Sequence, residues 1–159
     1  MQKCFQNLTK FFVISLFLSS CQKEEAPDVR DSLIGTYSGI VKAYQEDVDE
    51  NLVYLGSQYD FTQNLRCEKD IGEGEIVFFK EDNSVVFKGN GVTRTDNGTV
   101  FNVLEKTVSS GTTYFPYDAV EVGSKKYSGV YDFASRKILF YQYWIEQGDK
   151  YVFIYEGTK

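Results

Sequence analysis

From Leu33 to the C terminus, apolar residues alternate with polar ones over short runs, and no stretch carries the three-to-four spacing of an amphipathic helix. Aromatic and β-branched residues crowd these runs, which turn-forming clusters interrupt every eight to twelve residues. The pattern predicts strands near 34–44, 52–62, 75–81, 84–89, 99–106, 113–121, 126–133, 137–146 and 149–156. Between them lie Glu81-Asp82-Asn83, Gly89-Asn90-Gly91, Asp96-Asn97-Gly98, Ser109-Ser110-Gly111 and Gln147-Gly148. Asp96-Asn97-Gly98 is the strongest signal for a tight hairpin, because a type I′ turn needs positive φ at its centre. Eight or nine short strands joined by hairpins predict an all-β domain, either an antiparallel up-and-down barrel or a β-sandwich.

The last three predicted strands allow a register to be written. A tight turn at Ser135-Arg136 sets Phe133, Tyr131, Gly129 and Tyr127 opposite Ile138, Phe140, Gln142 and Trp144. A second, at Gln147-Gly148, sets Trp144, Gln142 and Phe140 opposite Tyr151, Phe153 and Tyr155. Side chains alternate with period two, so all these residues share one face. The other face, with Ser128, Val130, Asp132, Leu139, Tyr141, Tyr143, Val152 and Ile154, is more polar, which makes the aromatic face the interior. One interior row sets the Gln142 amide beside Phe153 and beside Gly129, which has no side chain. A buried amide without partners costs roughly 1–3 kcal/mol, so Gln142 needs a tyrosine hydroxyl, a water or a ligand. Tyr127, Gly129, Gln142, Trp144, Tyr151 and Phe153 are therefore candidate walls of a small apolar-aromatic ligand pocket. The alternative is a filled core in which Gln142 bonds a neighbouring tyrosine.

The N-terminal residues follow a different rule. Lys3 and Lys10 precede the apolar run Phe11-Phe12-Val13-Ile14-Ser15-Leu16-Phe17-Leu18, and Ser19-Ser20-Cys21 closes it ahead of polar Gln22-Lys23-Glu24-Glu25. The run is far shorter than the roughly 20 residues a membrane helix needs, but it suits the core of a secretory signal. Leu18-Ser19-Ser20-Cys21 resembles the lipobox of bacterial lipoproteins. The lysine and two acids after it are similar to the surface-export signal of lipoproteins from the Bacteroidota. This resemblance implies removal of residues 1–20, a diacylglycerol on the Cys21 thiol and an N-acyl chain on the freed amine. It implies an outer-membrane location, with the protein held by lipid and exposed at the cell surface, and no other cofactor is expected. Each buried methylene contributes about 0.8 kcal/mol, so two or three acyl chains anchor firmly where one does so marginally.

Residues 21–32 are polar, contain Pro27 and read as a flexible tether, leaving 33–159 as a single β domain. Asp31-Ser32-Leu33 is similar to the short O-glycosylation motif of the same bacterial group. Gly35-Thr36-Tyr37 resembles the Gly-x-Trp opening of lipocalin-type barrels, with tyrosine in place of tryptophan. That resemblance implies a lipocalin-like barrel rather than a sandwich. It also implies a late-strand arginine packed on the ring, whereas the only late arginine, Arg136, falls in a predicted turn.

Without residues 1–20 the chain keeps 15 basic and 23 acidic residues, a formal charge of −8. That balance argues against nucleic acid and against a polybasic membrane-surface role. The chain has no histidine, which removes Ser-His and Cys-His nucleophile pairs, imidazole acid–base chemistry and the usual zinc ligands. Cys4 leaves with the signal and Cys21 takes lipid, so Cys67 stands alone and reads as a structural thiol despite Arg66 and Lys69 nearby.

Glu46-Asp47-Val48-Asp49-Glu50 gathers carboxylates but lacks the spaced acids and glycine of a calcium loop, and reads as a solvated connection; no metal site is expected. Glu73 and Glu75, on one face of a strand, would stand about 7 Å apart, with no sugar-binding frame around them. Tyr114-Phe115-Pro116-Tyr117 reads as an edge strand or as a stacking surface for sugars or peptides. The sequence thus predicts a non-catalytic, surface-tethered β domain that captures a small apolar or aromatic ligand inside. The alternative is a structural or interaction lipoprotein whose outer aromatic face docks a partner protein or glycan.

Overall fold

The computed structural model of the chain describes residues 26–159; the signal-like segment, Cys21 and Gln22 to Glu25 lie outside them. Thirteen strands follow in chain order: β1 (Gly35–Glu46), β2 (Leu52–Tyr54), β3 (Phe61–Lys69), β4 (Ile76–Phe79), β5 (Val85–Arg94), β6 (Gly98–Val103), β7 (Lys106–Thr107), β8 (Thr113–Pro116), β9 (Val120–Val122), β10 (Lys125–Tyr127), β11 (Gly129–Asp132), β12 (Lys137–Glu146) and β13 (Asp149–Thr158). Eight of them close an antiparallel up-and-down barrel in the order β1-β3-β4-β5-β6-β11-β12-β13, with β13 returning to pair with β1. The β-sandwich alternative is therefore excluded. The remaining strands are excursions from one end: β2 on β1, the β7–β8 hairpin, and the β9–β10 hairpin.

The clearest departure from the sequence pattern is β3. The predicted strand at 52–62 breaks at Gly56, whose φ of 106° leads into a short 3-10 turn, Ser57–Tyr59. The barrel strand starts only at Phe61, where Phe61, Gln63, Leu65 and Cys67 alternate with the polar Thr62, Asn64, Arg66 and Glu68. The 95–97 turn is also built differently. Neither Asp96, Asn97 nor Gly98 has positive φ, so no type I′ turn forms there. Gly98 lies in β6, where a Cβ would sit 2.1 Å from the Tyr131 carbonyl oxygen of β11. Close backbone approach, not turn conformation, requires this glycine. Gln147 and Gly148 do form the tight left-handed pair, with φ of 54° and 95°.

One end of the barrel is packed solid; we term it the base. Leu33, Tyr37, Leu65, Cys67, Ile76, Phe78, Phe87, Phe101 and Ile138 are fully buried there. A run of rings crosses it, with centroids 4.4 Å apart for Phe78–Phe87, 4.4 Å for Phe87–Phe140 and 4.8 Å for Phe140–Tyr155. Deleting such a ring typically costs about 3–5 kcal/mol. Burial also pushes the Cys67 thiol up to about 12, which makes it a poor nucleophile and a good packing residue.

The base is sealed by residues expected to belong to the tether. Val29–Ser32 form a 3-10 turn capped by Asp28. The Arg30 guanidinium is held by both Asp28 oxygens and donates to the carbonyls of Asp70, Gly72 and Glu75 at 2.9–3.4 Å. These contacts fix residues 70–75 as a turn, so Glu73 and Glu75 do not share a strand face; β4 begins at Ile76. Tyr37, buried, donates its hydroxyl to the Leu33 carbonyl at 2.6 Å. Arg136 occupies a turn with φ of 55° and does not pack on the Tyr37 ring; Lys159 lies instead over Tyr131, its Nζ 5.7 Å from the ring centroid. Ser32 Oγ pairs with the buried Thr99 hydroxyl at 2.8 Å, so any sugar on Ser32 requires that hydroxyl to be withdrawn from the seal.

Candidate functional site

At the opposite end, the mouth, the interior widens into a cavity of about 500 Å³. Val41 of β1, Phe61 and Gln63 of β3, Phe140 and Gln142 of β12, and Phe153 and Tyr155 of β13 form its walls. The β7–β8 hairpin crosses the mouth and supplies Tyr114, while Lys106 to Ser109 close the side next to β5. Its position follows from pairing. The first half of β12 pairs with β11, and at Gln142 and Tyr143 its partner becomes Pro116 and Phe115 of β8. The aromatic segment at 114–117 is thus an edge strand that alternates sides. Tyr114 turns to the cavity, and Phe115 stacks on Tyr143 outside at 5.3 Å.

The six pocket residues expected from the sequence separate into three groups. Gln142 and Phe153 stand opposite each other in the cavity wall, in the register written from the Gln147-Gly148 turn. Trp144 and Tyr151 continue the same row toward the rim as a stack. Trp144 lies 4.4 Å from Phe153 and 4.9 Å from Tyr151, ring centroid to centroid. Gly129 and Tyr127 lie elsewhere. The β11–β12 turn spans four residues, Phe133 to Arg136, not two, so Gly129 pairs with Phe140 and Tyr131 with Ile138. The space above Gly129 is filled by the Phe101 ring, 2.3–2.8 Å from where a Cβ would sit. Tyr127 ends β10, pairs with Val120 in the side hairpin and takes no part in the cavity.

Polar side chains share the cavity lining with the apolar ones, among them Ser84, Thr107 and Ser109. Gln63 and Gln142 contribute their side chains to its walls. Tyr155 donates its hydroxyl to the carbonyls of Tyr37 and Gln63, and burial pushes its phenol up to about 12. Lys106 Nζ donates to the carbonyls of Val85 and, at 2.8 Å, Val86, which fastens β7 onto the start of β5. Burial, and next the charge of Lys80, lower the pKa of Lys106. Nothing in the sequence marks Lys80 or Lys106, because β7 reaches the mouth only through the folding of the 104–116 excursion.

The outer aromatic face is self-contained. Lys150 Nζ sits 4.8 Å and 4.9 Å from the Tyr143 and Tyr117 ring centroids and pairs with Glu46 at 2.9 Å. Residues 114–117, Tyr141 and Tyr143 are all partly buried. In the acidic 46–50 segment, Asp47 accepts from the backbone amides of Asp49 and Asn51 and so closes the connection on itself. Comparison with protein-family models, curated proteins and solved structures finds no match to this chain.

Proposed function

We propose that this chain is a lipid-anchored, surface-exposed binding protein of a bacterial outer membrane. Its barrel mouth reversibly captures a small apolar or aromatic molecule, with no catalysis of its own. One observation carries the reading: a barrel packed solid at its base keeps about 500 Å³ open at its mouth. That volume lies within the roughly 300–1,000 Å³ of small-molecule sites, and its aromatic and aliphatic walls, interspersed with polar side chains, suit an amphipathic occupant. The alternative, docking of a partner protein or glycan on the outer face, gains less support, since the rings there are covered by one another and by Lys150.

The anchor supports the same use. With Cys21 lipidated, the chain enters the domain at the sealed base, where Arg30 holds Asp28 to Ser32. Residues 22–27 then span at most about 20 Å when extended. The mouth lies at the far end of the strands, directed away from the membrane.

Trp144, the only tryptophan of the chain, is stacked on a wall residue and reports occupancy directly. Titrating the purified full chain with a panel of small aromatic and aliphatic compounds should produce saturable changes in its emission. Gln142→Phe, which places a ring in the cavity, should abolish them. A panel without any saturable response refutes capture in the mouth.

A further inference from the structure

The charged residues around the cavity are not a sample of the chain. Acids outnumber bases by 23 to 17 overall, yet the cavity lining contains no Asp or Glu and two lysines, Lys80 and Lys106. Among the described residues neither lysine belongs to an ion pair. An ammonium carries three N–H donors. Lys106 uses two on the Val85 and Val86 carbonyls, which leaves one for an acceptor inside the mouth. Lys80 also borders a neighbouring outer groove, where Glu81 accepts from the Asn64 side-chain amide at 2.7 Å and Asp82 accepts from the Ser84 backbone amide at 2.8 Å. Two like charges therefore face the cavity without a counter-charge in its walls. A hydrocarbon occupant would remove water from them and return nothing, and a neutral acceptor would leave their charge unmatched. An anion would satisfy both, since charge-assisted hydrogen bonds are about twice as strong as neutral ones.

We infer that the occupant of the mouth is a small organic carboxylate, its apolar or aromatic body against Phe61, Phe140 and Phe153 and its anionic group on Lys106 and Lys80. The inference rests on the capture reading and narrows it to one ligand class. The amides of Gln63 and Gln142 offer further N–H donors across the same space.

A matched pair of probes isolates the charge: naphthoate and naphthamide share ring, size and planarity. Calorimetric titration of the full chain in neutral detergent should show naphthoate binding at least about tenfold more tightly than naphthamide, the effect of one charge-assisted bond. Lys106→Met should abolish that preference while keeping naphthamide affinity, and Lys106→Arg should retain it. Because Lys106 also fastens β7 to β5, Lys80→Met on the exposed side serves as the second variant and should reduce the preference without touching that fastening. Equal affinities for the two probes, or a naphthoate preference unchanged in both methionine variants, overturn the inference and leave capture standing. Failure of both probes to bind overturns the inference and counts against capture as well.

Discussion

Replacing Gly129 by alanine sets a methyl group against a ring that has nowhere to retreat. The added carbon would lie 2.3, 2.4 and 2.8 Å from three atoms of the Phe101 ring, where ordinary contact begins near 3.4 Å. Phe101 is fully buried, and Phe78 blocks it at a centroid distance of 6.0 Å. Overpacking of this kind costs about 1–3 kcal/mol. Alanine recovers roughly 0.5–1 kcal/mol of backbone entropy that glycine loses in a strand. With three ring atoms inside contact distance, the steric cost stands in the upper half of its range, about 2–3 kcal/mol, and the net destabilisation comes to about 1–2.5 kcal/mol. For a domain of this size that lowers Tm by roughly 4–8 °C in a thermal melt followed by circular dichroism. Pairing Gly129→Ala with Phe101→Leu should recover part of the loss, with a coupling of at least about 0.5 kcal/mol. Ligand binding should be unchanged, because Gly129 lies outside the cavity wall. An unchanged Tm together with lost binding would mean that the residue faces a pocket and that the packing account is wrong.

Of two further outcomes, one follows from the buried core and one from the N-terminal motif. Cys67 and Tyr155 are held protonated in the fold up to about 12, against ordinary values of 9.0 and 10.0, chiefly by burial. Above pH 9 the unfolded chain sheds protons that the folded chain keeps. Stability is therefore full below pH 9 and falls as pH rises toward 12, by at most about 1.4 kcal/mol per pH unit for Cys67 from pH 9, with a smaller loss for Tyr155 from pH 10. Sheet circular dichroism followed against pH should show cooperative alkaline unfolding, shifted to higher pH in Cys67→Ala; a midpoint that does not move would rule out the thiol's share. At the other end of the chain, labelled fatty acid should enter the wild-type protein and not Cys21→Ser, and equal labelling of both would remove the lipid anchor.

The all-β class was legible in the chain because it rests on local chemistry: period-two alternation, β-branched and aromatic residues, and turn clusters. The β12–β13 register was legible for the same reason. A two-residue turn at Gln147-Gly148 fixes every pair behind it, from Glu146↔Asp149 to Phe140↔Tyr155. Two of the six expected pocket residues, Gln142 and Phe153, came with it into the cavity wall. The β11–β12 register was not legible, because a four-residue turn there slides Gly129 from Gln142 to Phe140 while keeping the same faces inward, and the alternation pattern is blind to a shift of two. The strand at Phe61–Lys69 was hidden differently. Its outward residues are polar and its inward ones include Gln63, so its alternation is muted until the barrel gives it an inside.

What the sequence by itself determined is therefore what neighbours along the chain decide: strands, the tightest turns, and the faces of a hairpin. Only the tertiary structure decided which end of the barrel is solid and which is open. That depends on contacts between residues far apart in the chain, such as Arg30 on the Gly72 carbonyl and Lys106 on the Val86 carbonyl. No short-range pattern encodes such pairings, since each depends on how several loops fold back over the same cylinder of strands.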